Sequence, residues 1–401
     1  MKIGIYNEAS RSGNIFDGSV RVAAMLAGLL SRSHDGVHQV ELVHHDPNLD
    51  HGRLASFSGV ELERVRLRHV PETEDLAIAR NPLRRHHQAR DWLAELSAPY
   101  DLFINIVHSK PPFCHARRGI LIVLFPFFDP AAQWPQSPGA LLGDTTRRIK
   151  QPYAWAWQQR MDSYALKLSI SHFVRDWTLV RWGVPSQVLY PPADTHFEVV
   201  PKDDLVISVG RFAVGGVLKR QLEMMQTWAN LQRDDASPVP EEWQYLSTGS
   251  ARTAGEEQIY VQNLRAMGED CNATVTPNLE WRELQELYGR AKIFWHAAGY
   301  SVDETRYPQE VEHFGIVTVE AMAAGCVPLV FNKGGQPEIV LHGVSGFVWN
   351  TLDELKQYTS LLMRNETLRE QMSQAARERA QKFGREAFEQ SFLQLAKPLL
   401  D

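Results

Sequence analysis

Short runs of consecutive apolar residues recur along most of the chain, separated by longer stretches whose apolar positions follow a helical period. That alternation predicts parallel βαβ units and an α/β fold. In the first half the pattern predicts strands over 2–6, 39–44, 102–107 and 119–125. A glycine-bearing loop (Gly13, Gly18) and a helix over 20–30 follow the first of them. The stretch Leu189-Tyr190-Pro191-Pro192-Ala193-Asp194 reads as a strand stopped by a double proline, which no regular element survives. The rhythm restarts beyond it, with strands over 204–209, 243–247, 272–276, 291–295 and 327–331. Helices are predicted over 219–231 and 315–324, and amphipathic helix from about 352 to the end. No repeat of 20–50 residues is visible. The reading divides the chain into an N-terminal domain over 1–197, a second domain over 198–380 and a C-terminal helix over 381–401 expected to pack back on the first. Two such halves leave the crevice between them as the expected ligand site.

Length agrees with two domains, because 401 residues exceed what one hydrophobic core usually supports. The first residues, Met-Lys-Ile-Gly-Ile-Tyr, read as a strand and not as a signal peptide, and no apolar run is long enough to span a bilayer. Cys114, Cys271 and Cys326 show no metal-ligand or paired spacing, so a reducing, cytoplasmic setting without structural zinc is expected. The net charge of −6 is uneven. Residues 1–197 carry 22 Lys and Arg against 19 Asp and Glu, whereas the remainder carries 20 against 29. A mildly basic first half suits an anionic membrane surface or a phosphorylated acceptor, and ordinary scatter between domains explains it equally well. Nucleic acid is not an expected partner, since no dense Lys/Arg cluster is present.

Three loops of the second half carry candidate chemistry. In Glu312-His-Phe-Gly-Ile-Val-Thr-Val-Glu320, two carboxylates flank a predicted helix start at Phe314, Gly315 and Ile316. Free N–H groups and the positive end of the helix dipole make such a start a site for phosphate or a sugar hydroxyl. Gly315 permits close backbone approach. In Gly210-Arg211-Phe-Ala-Val-Gly-Gly-Val-Leu-Lys219-Arg220, a strand runs into a glycine-rich loop, and the next helix is predicted to open with basic residues. Arg211 and Lys219 can both address a diphosphate. The third loop, Asn332-Lys-Gly334-Gly335-Gln-Pro337-Glu338, brings another carboxylate to a helix start. Each alone is commonplace on a surface; their order within one α/β half is what gives them weight.

With these motifs the sequence resembles the retaining glycosyltransferases of GT-B fold that carry an E-x7-E motif, glycosyl transferases group 1 or family 4. Glu-His-Phe-Gly-Ile is close to the form in ALG11-type mannosyltransferases. The resemblance is strong over about 187–350 and weak over 1–186, and the Gly210–Lys219 loop is a few residues longer than the commonest form. It implies two Rossmann-like α/β/α domains with parallel sheets facing a central cleft, the C-terminal one binding the donor and the N-terminal one the acceptor. It implies a hexose, mannose favoured, moved from a nucleotide diphosphate sugar to a glycan, lipid-linked or small-molecule acceptor. The roles it implies are Glu320 on the nucleotide ribose, Glu312 on the donor sugar, and the Phe314, Gly315 and Ile316 amides on its hydroxyls and phosphate. Arg211 and Lys219 would neutralise the leaving diphosphate, with Gly210 and Glu338 beside the donor. No cofactor and no metal are expected, as two cations and a helix N-terminus supply the electrostatic stabilisation.

In the first half the resemblance places Gly18 near the diphosphate and His108, with Lys110 a weaker candidate, near the donor sugar. Each also has a plain reading, as a helix-start glycine and as a structural histidine at a strand end. Trp134, Arg147, Arg148, Lys150, Tyr153, Trp155 and Trp157 mix aromatics with cations. That suits peripheral contact with the inner membrane face or an acceptor platform, and also ordinary packing under a loop. Arg84-Arg85-His86-His87 reads as a solvated helix face. The competing functions are a sugar-nucleotide epimerase on the same fold and a non-catalytic nucleotide-sugar-binding protein. A dinucleotide oxidoreductase is disfavoured, because no G-x-G-x-x-G follows either first strand.

Overall fold

The computed structural model describes residues 1–7, 18–32, 38–71, 94–131, 143–233 and 240–401. Gly13, Trp134 and Arg84 through His87 lie outside the described residues, as do the side chains of Arg147, Arg148 and Lys150. The chain forms two compact units, Met1–Pro191 with Glu389–Asp401, and Pro192–Phe388. The division therefore falls inside the double proline, six residues before the boundary expected from sequence.

The N-terminal unit holds strands β1 (Lys2–Asn7), β2 (Gln39–His44), β3 (Val65–His69), β4 (Leu102–Val107), β5 (Arg118–Val123), β6 (Leu166–Ser169) and β7 (Gln187–Val188). They form one parallel sheet in the order β3-β2-β1-β4-β5-β6-β7. Every residue of β4 is buried, as expected of a parallel strand covered on both faces. Helices α1 (Gly18–Ser31), α2 (His51–Ser58), α3 (Gly143–Asp162) and α4 (His172–Trp182) connect the strands. The limits of α4 are set locally: the Ser171 hydroxyl accepts the Val174 N–H at its start, and Gly183 in the left-handed region ends it. The expected strand before the double proline ends at Val188, and only the Leu189 N–H continues its ladder, donating to the Ser169 carbonyl at 2.9 Å.

The C-terminal unit holds β8 (Asp203–Val209), β9 (Gln244–Gly249), β10 (Ala273–Pro277), β11 (Ala291–His296), β12 (Val327–Phe331) and β13 (Phe347–Trp349). Its parallel sheet runs β10-β9-β8-β11-β12-β13. Counted from β8 this is 3-2-1-4-5-6, the doubly wound order whose direction reverses between β8 and β11. Helices α5 (Gln221–Gln232), α6 (Glu256–Glu269), α7 (Trp281–Arg290), α8 (Ile316–Ala323), α9 (Gln336–Ile339), α10 (Leu352–Arg364) and α11 (Glu366–Ala380) accompany it. The helix α12 (Arg385–Leu400) begins in this unit, and from Glu389 onward it belongs to the first.

Successive side chains of a strand point to opposite faces, and the two cores of this unit follow that period. Val206, Ile293 and Trp295 pack on one face with Trp228, Tyr245 and Trp349. Ile207 and Phe294 pack on the other with Tyr288 and Ala321. The rings of Trp228, Tyr245 and Trp295 lie 5.3–6.1 Å apart between centroids. Two of the indole N–H groups find acceptors: Trp228 donates to the Cys271 carbonyl at 2.6 Å and Trp295 to the Thr359 hydroxyl at 3.1 Å. This packing makes the sheet a rigid support for the loops that leave its C-terminal edge.

Candidate functional site

Ligands of doubly wound sheets bind beyond the carboxyl ends of the strands where the order reverses. At that point in the C-terminal unit β8 leads into the loop of Gly210, Arg211 and Lys219, and β11 ends at His296. Glu312 lies in the loop between β11 and α8, and the third motif follows β12.

The predicted opening of the helix after β8 is corrected by the structure. Helix α5 begins at Gln221, two residues later than expected, because Arg220 adopts a left-handed conformation with φ of 61°. That reversal keeps Lys219 in the loop. Its stem lies over Gly210, where an added Cβ would stand 2.8 Å from the Lys219 Cγ. Buried Gln221 donates to the carbonyls of Gly210 and Arg211 at 3.0 and 3.1 Å, fixing the loop. The Arg211 side chain is exposed and has no ion-pair partner among the described residues.

Lys219 Nζ donates to Glu312 Oε2 at 2.5 Å, and His296 Nε2 lies 3.3 Å from the same oxygen. The three side chains are 20, 17 and 3% exposed, so the cluster is largely withdrawn from water. Burial opposes the Glu312 charge, but the Lys219 ammonium and the His296 hydrogen bond outweigh it and hold the carboxyl well below the usual carboxylate range. Burial also lowers the His296 pKa, more than Glu312 raises it. His296 is therefore neutral, with its proton on Nε2 facing the carboxylate and a buried Nδ1 that has no hydrogen-bond partner among the described residues. Sequence reading missed His296. Its signal is a polar residue ending an otherwise apolar strand, at a place that only the sheet order shows to be the reversal point.

The loop before α8 and the turn after β12 form one structure. Gly335 N–H donates to the Glu312 carbonyl at 2.8 Å. The buried Gln336 amide donates to the Phe314 carbonyl at 3.0 Å and accepts from the Thr318 hydroxyl at 2.9 Å. Gly315, the N-cap of α8, has φ of 112°, a conformation only glycine adopts without strain. A Cβ there would stand 2.0 Å from Gln336 Nε2, and one at Gly334 would stand 2.0 Å from the Glu312 carbonyl oxygen. The glycines of both motifs thus allow the two loops to touch. The N–H groups of Ile316 and Val317, in the first turn of α8, have no intrahelical acceptor and carry the positive end of the dipole.

Of the other predicted residues, Phe314 is 2% exposed with its ring 5.6 Å from that of Phe383, a core contact for its side chain. Glu320 is 3% exposed within α8. Glu338 is half-buried in α9, and its carbonyl accepts from Arg379 Nη2 at 2.7 Å. Gly18 and His108 lie in the N-terminal unit, at the start of α1 and just after β4, beside the reversal point of that sheet. Next to Gly18, Ser19 is hydrogen-bonded to Asn7 at the end of β1. The His108 ring lies tilted against Phe127, 5.9 Å between centroids, and Lys110 lies 5.2 Å over the Phe128 ring. No group of three or more His, Cys, Asp or Glu side chains able to hold a metal ion occurs among the described residues.

Residues 196–379 match the family of glycosyl transferases group 1. A GDP-Man:Man(3)GlcNAc(2)-PP-Dol alpha-1,2-mannosyltransferase of Dictyostelium discoideum is 25% identical over 245 residues, 57% of this chain and 45% of that protein. The chain thus spans less than half the length of such curated relatives. Among solved structures, a glycosyltransferase from Rickettsia africae ESF-5 superposes with a TM-score of 0.65 at 14% identity, covering 100% of this chain and 98% of that one. Anabaena Alr3699/HepE, in complex with UDP and glucose, gives a TM-score of 0.64 at 14% identity, covering 99 and 100%. The chain has the GT-B fold, and its C-terminal unit is similar, over residues 196–379, to the glycosyl transferases group 1 family.

Proposed function

We propose that the protein is a retaining glycosyltransferase that moves a hexose, mannose in first place, from a nucleoside diphosphate sugar to a glycan, lipid-linked or small-molecule acceptor. The observation that carries this reading is the Lys219–Glu312 pair at the reversal point of a glycosyl transferases group 1 domain, beside the N-terminus of α8. Bond breaking in such a transfer develops negative charge on the leaving diphosphate, and fixed cations and N–H groups stabilise it without reorganising. Lys219, the exposed Arg211 and the first turn of α8 supply those groups, so the reaction needs no metal. Glu312 holds Lys219 in place, and His296 holds Glu312. Mannose is favoured because the curated relatives use GDP-mannose by name.

The test is a thermal-shift series against GDP, UDP, dTDP and ADP, each with its matching sugar nucleotide. At about a hundred times its dissociation constant a ligand adds roughly 2.7 kcal/mol of stability, so the true donor nucleotide stands out. GDP alone responding supports the mannosyl reading, UDP alone responding replaces the donor, and no response to any overturns the function.

No helix among the described residues is long and apolar enough to cross a membrane. Tyr153 and Trp155 on α3 are 50 and 66% exposed, whereas Trp157 is buried against the Phe128 and Trp182 rings. The exposed pair supports peripheral contact with a membrane surface, where amphipathic rings sit at the headgroup level. Co-sedimentation with anionic vesicles, lost in Tyr153→Ser/Trp155→Ser, checks this; equal binding by the variant removes the contact from α3.

A further inference from the structure

The opposite edge of the C-terminal sheet carries a second polar feature. Lys202 precedes β8, Lys292 stands near the start of β11, and Gly325 precedes β12. With the face of α11 that bears Glu370, Ser373 and Arg377, they line a groove of about 580 Å³.

Four cations line it, and they differ in how they are matched. Lys292 pairs with Asp204 at 2.6 Å. Arg369 reaches the Leu362 carbonyl at 2.6 Å and Glu366 at 3.6 Å. Lys202 donates to the carbonyls of Tyr288, Ala291 and Ala324 at 3.3, 2.8 and 2.7 Å, closing the C-terminal ends of α7 and α8, but meets no carboxylate among the described residues. Among the described residues Arg377 has no acid partner, and its buried Nε has no hydrogen-bond partner. Its guanidinium lies against Gly325, where an added Cβ would stand 2.3 Å from both Nε and Nη2. A buried donor left unmatched costs about 1–3 kcal/mol, and in native proteins such an orphan is normally met by water or an ion.

We infer that the Arg377 and Lys202 end of this groove is a binding site for a phosphate group, either inorganic or on a small ester. A planar guanidinium presents two parallel donors to phosphate oxygens, with the Lys202 charge behind it. Glu370, seven residues before Arg377, stands about 10 Å away along the helix and repels an extended polyanion. The site therefore takes one compact anionic group. It lies at the N-terminal edge of the strands, whereas Lys219 and His296 lie at the C-terminal edge.

The test is the melting midpoint of the full chain in inorganic phosphate or a hexose 6-phosphate, with ionic strength matched by sodium chloride. At about ten times the dissociation constant the midpoint rises by roughly 3 °C in the wild type and in Lys219→Ala. Arg377→Gln abolishes the rise. Gln374→Glu does the same without removing any packing, by placing a carboxylate one turn from Arg377. An equal rise for the two ligands identifies phosphate alone as the determinant, and a larger one for the ester adds contacts along the groove. No rise above chloride in the wild type, an undiminished rise in both groove variants, or loss of the rise in Lys219→Ala overturns the site.

Discussion

Lys219 and Glu312 stand 93 residues apart in sequence, and their side chains meet at 2.5 Å across the reversal point of the C-terminal sheet. At this burial each charge is compensated chiefly by the other and little by water. Removing one partner leaves the other ionised and poorly solvated, which costs more than the pair itself contributes.

Lys219→Ala and Glu312→Gln are each expected to lower kcat/KM for sugar transfer about 10²–10³-fold, the scale of losing one preorganised charge. The double variant should fall little further, because the two act as a unit. Steady-state kinetics of the four proteins check this, and additive losses would show that the residues act separately.

Acid should weaken the C-terminal unit in two stages. His296 has its folded pKa below its ordinary 6.5, so the unfolded chain takes up that proton first and stability falls as the pH drops below 6.5. Glu312 is also depressed, and its contribution is present above 4.5 and is lost as the pH falls below it. His296→Gln keeps a donor near the Nε2 position but cannot titrate. Its denaturant midpoint should therefore stay flatter than the wild type's between pH 6.5 and 4.5, and parallel curves would remove His296 from the acid response.

Gly315→Ala meets Gln336 Nε2 and carries positive φ, so a loss of about 2–4 kcal/mol is expected. Gln336→Ala removes the obstacle and leaves the φ strain. The double variant should then lose less than the sum of the singles, as read by chemical unfolding, and strict additivity would deny that the two loops touch.

Sugar transfer should survive excess EDTA, because the proposed charge stabilisation comes from Lys219, Arg211 and the start of α8. Activity abolished by chelation and restored by Mg²⁺ or Mn²⁺ would place a metal in the reaction.

Long apolar runs made β2, β4 and β12 legible to the residue, since a buried parallel strand leaves little choice of side chain. The short strands β6 and β13, of four and three residues, escaped because a run of that length carries no period. The left-handed Arg220 was illegible for a different reason: neither glycine nor asparagine marks the position, and the turn is imposed by the loop around it. The motif residues themselves could be named from sequence. Their pairing could not, because the Lys219–Glu312 contact and the place of His296 depend on which strands are neighbours.

The seam between Gln336 and the 312–315 loop sets a clock for amide hydrogen exchange. Gly335 N–H is protected only while it holds the Glu312 carbonyl, and the Phe314 carbonyl is held from the same turn by the Gln336 side chain. The two segments, far apart in sequence, can then open only together, as one cooperative unit. Deuterium should enter both at one rate, and a ligand that touches only the first should slow its entry into the second.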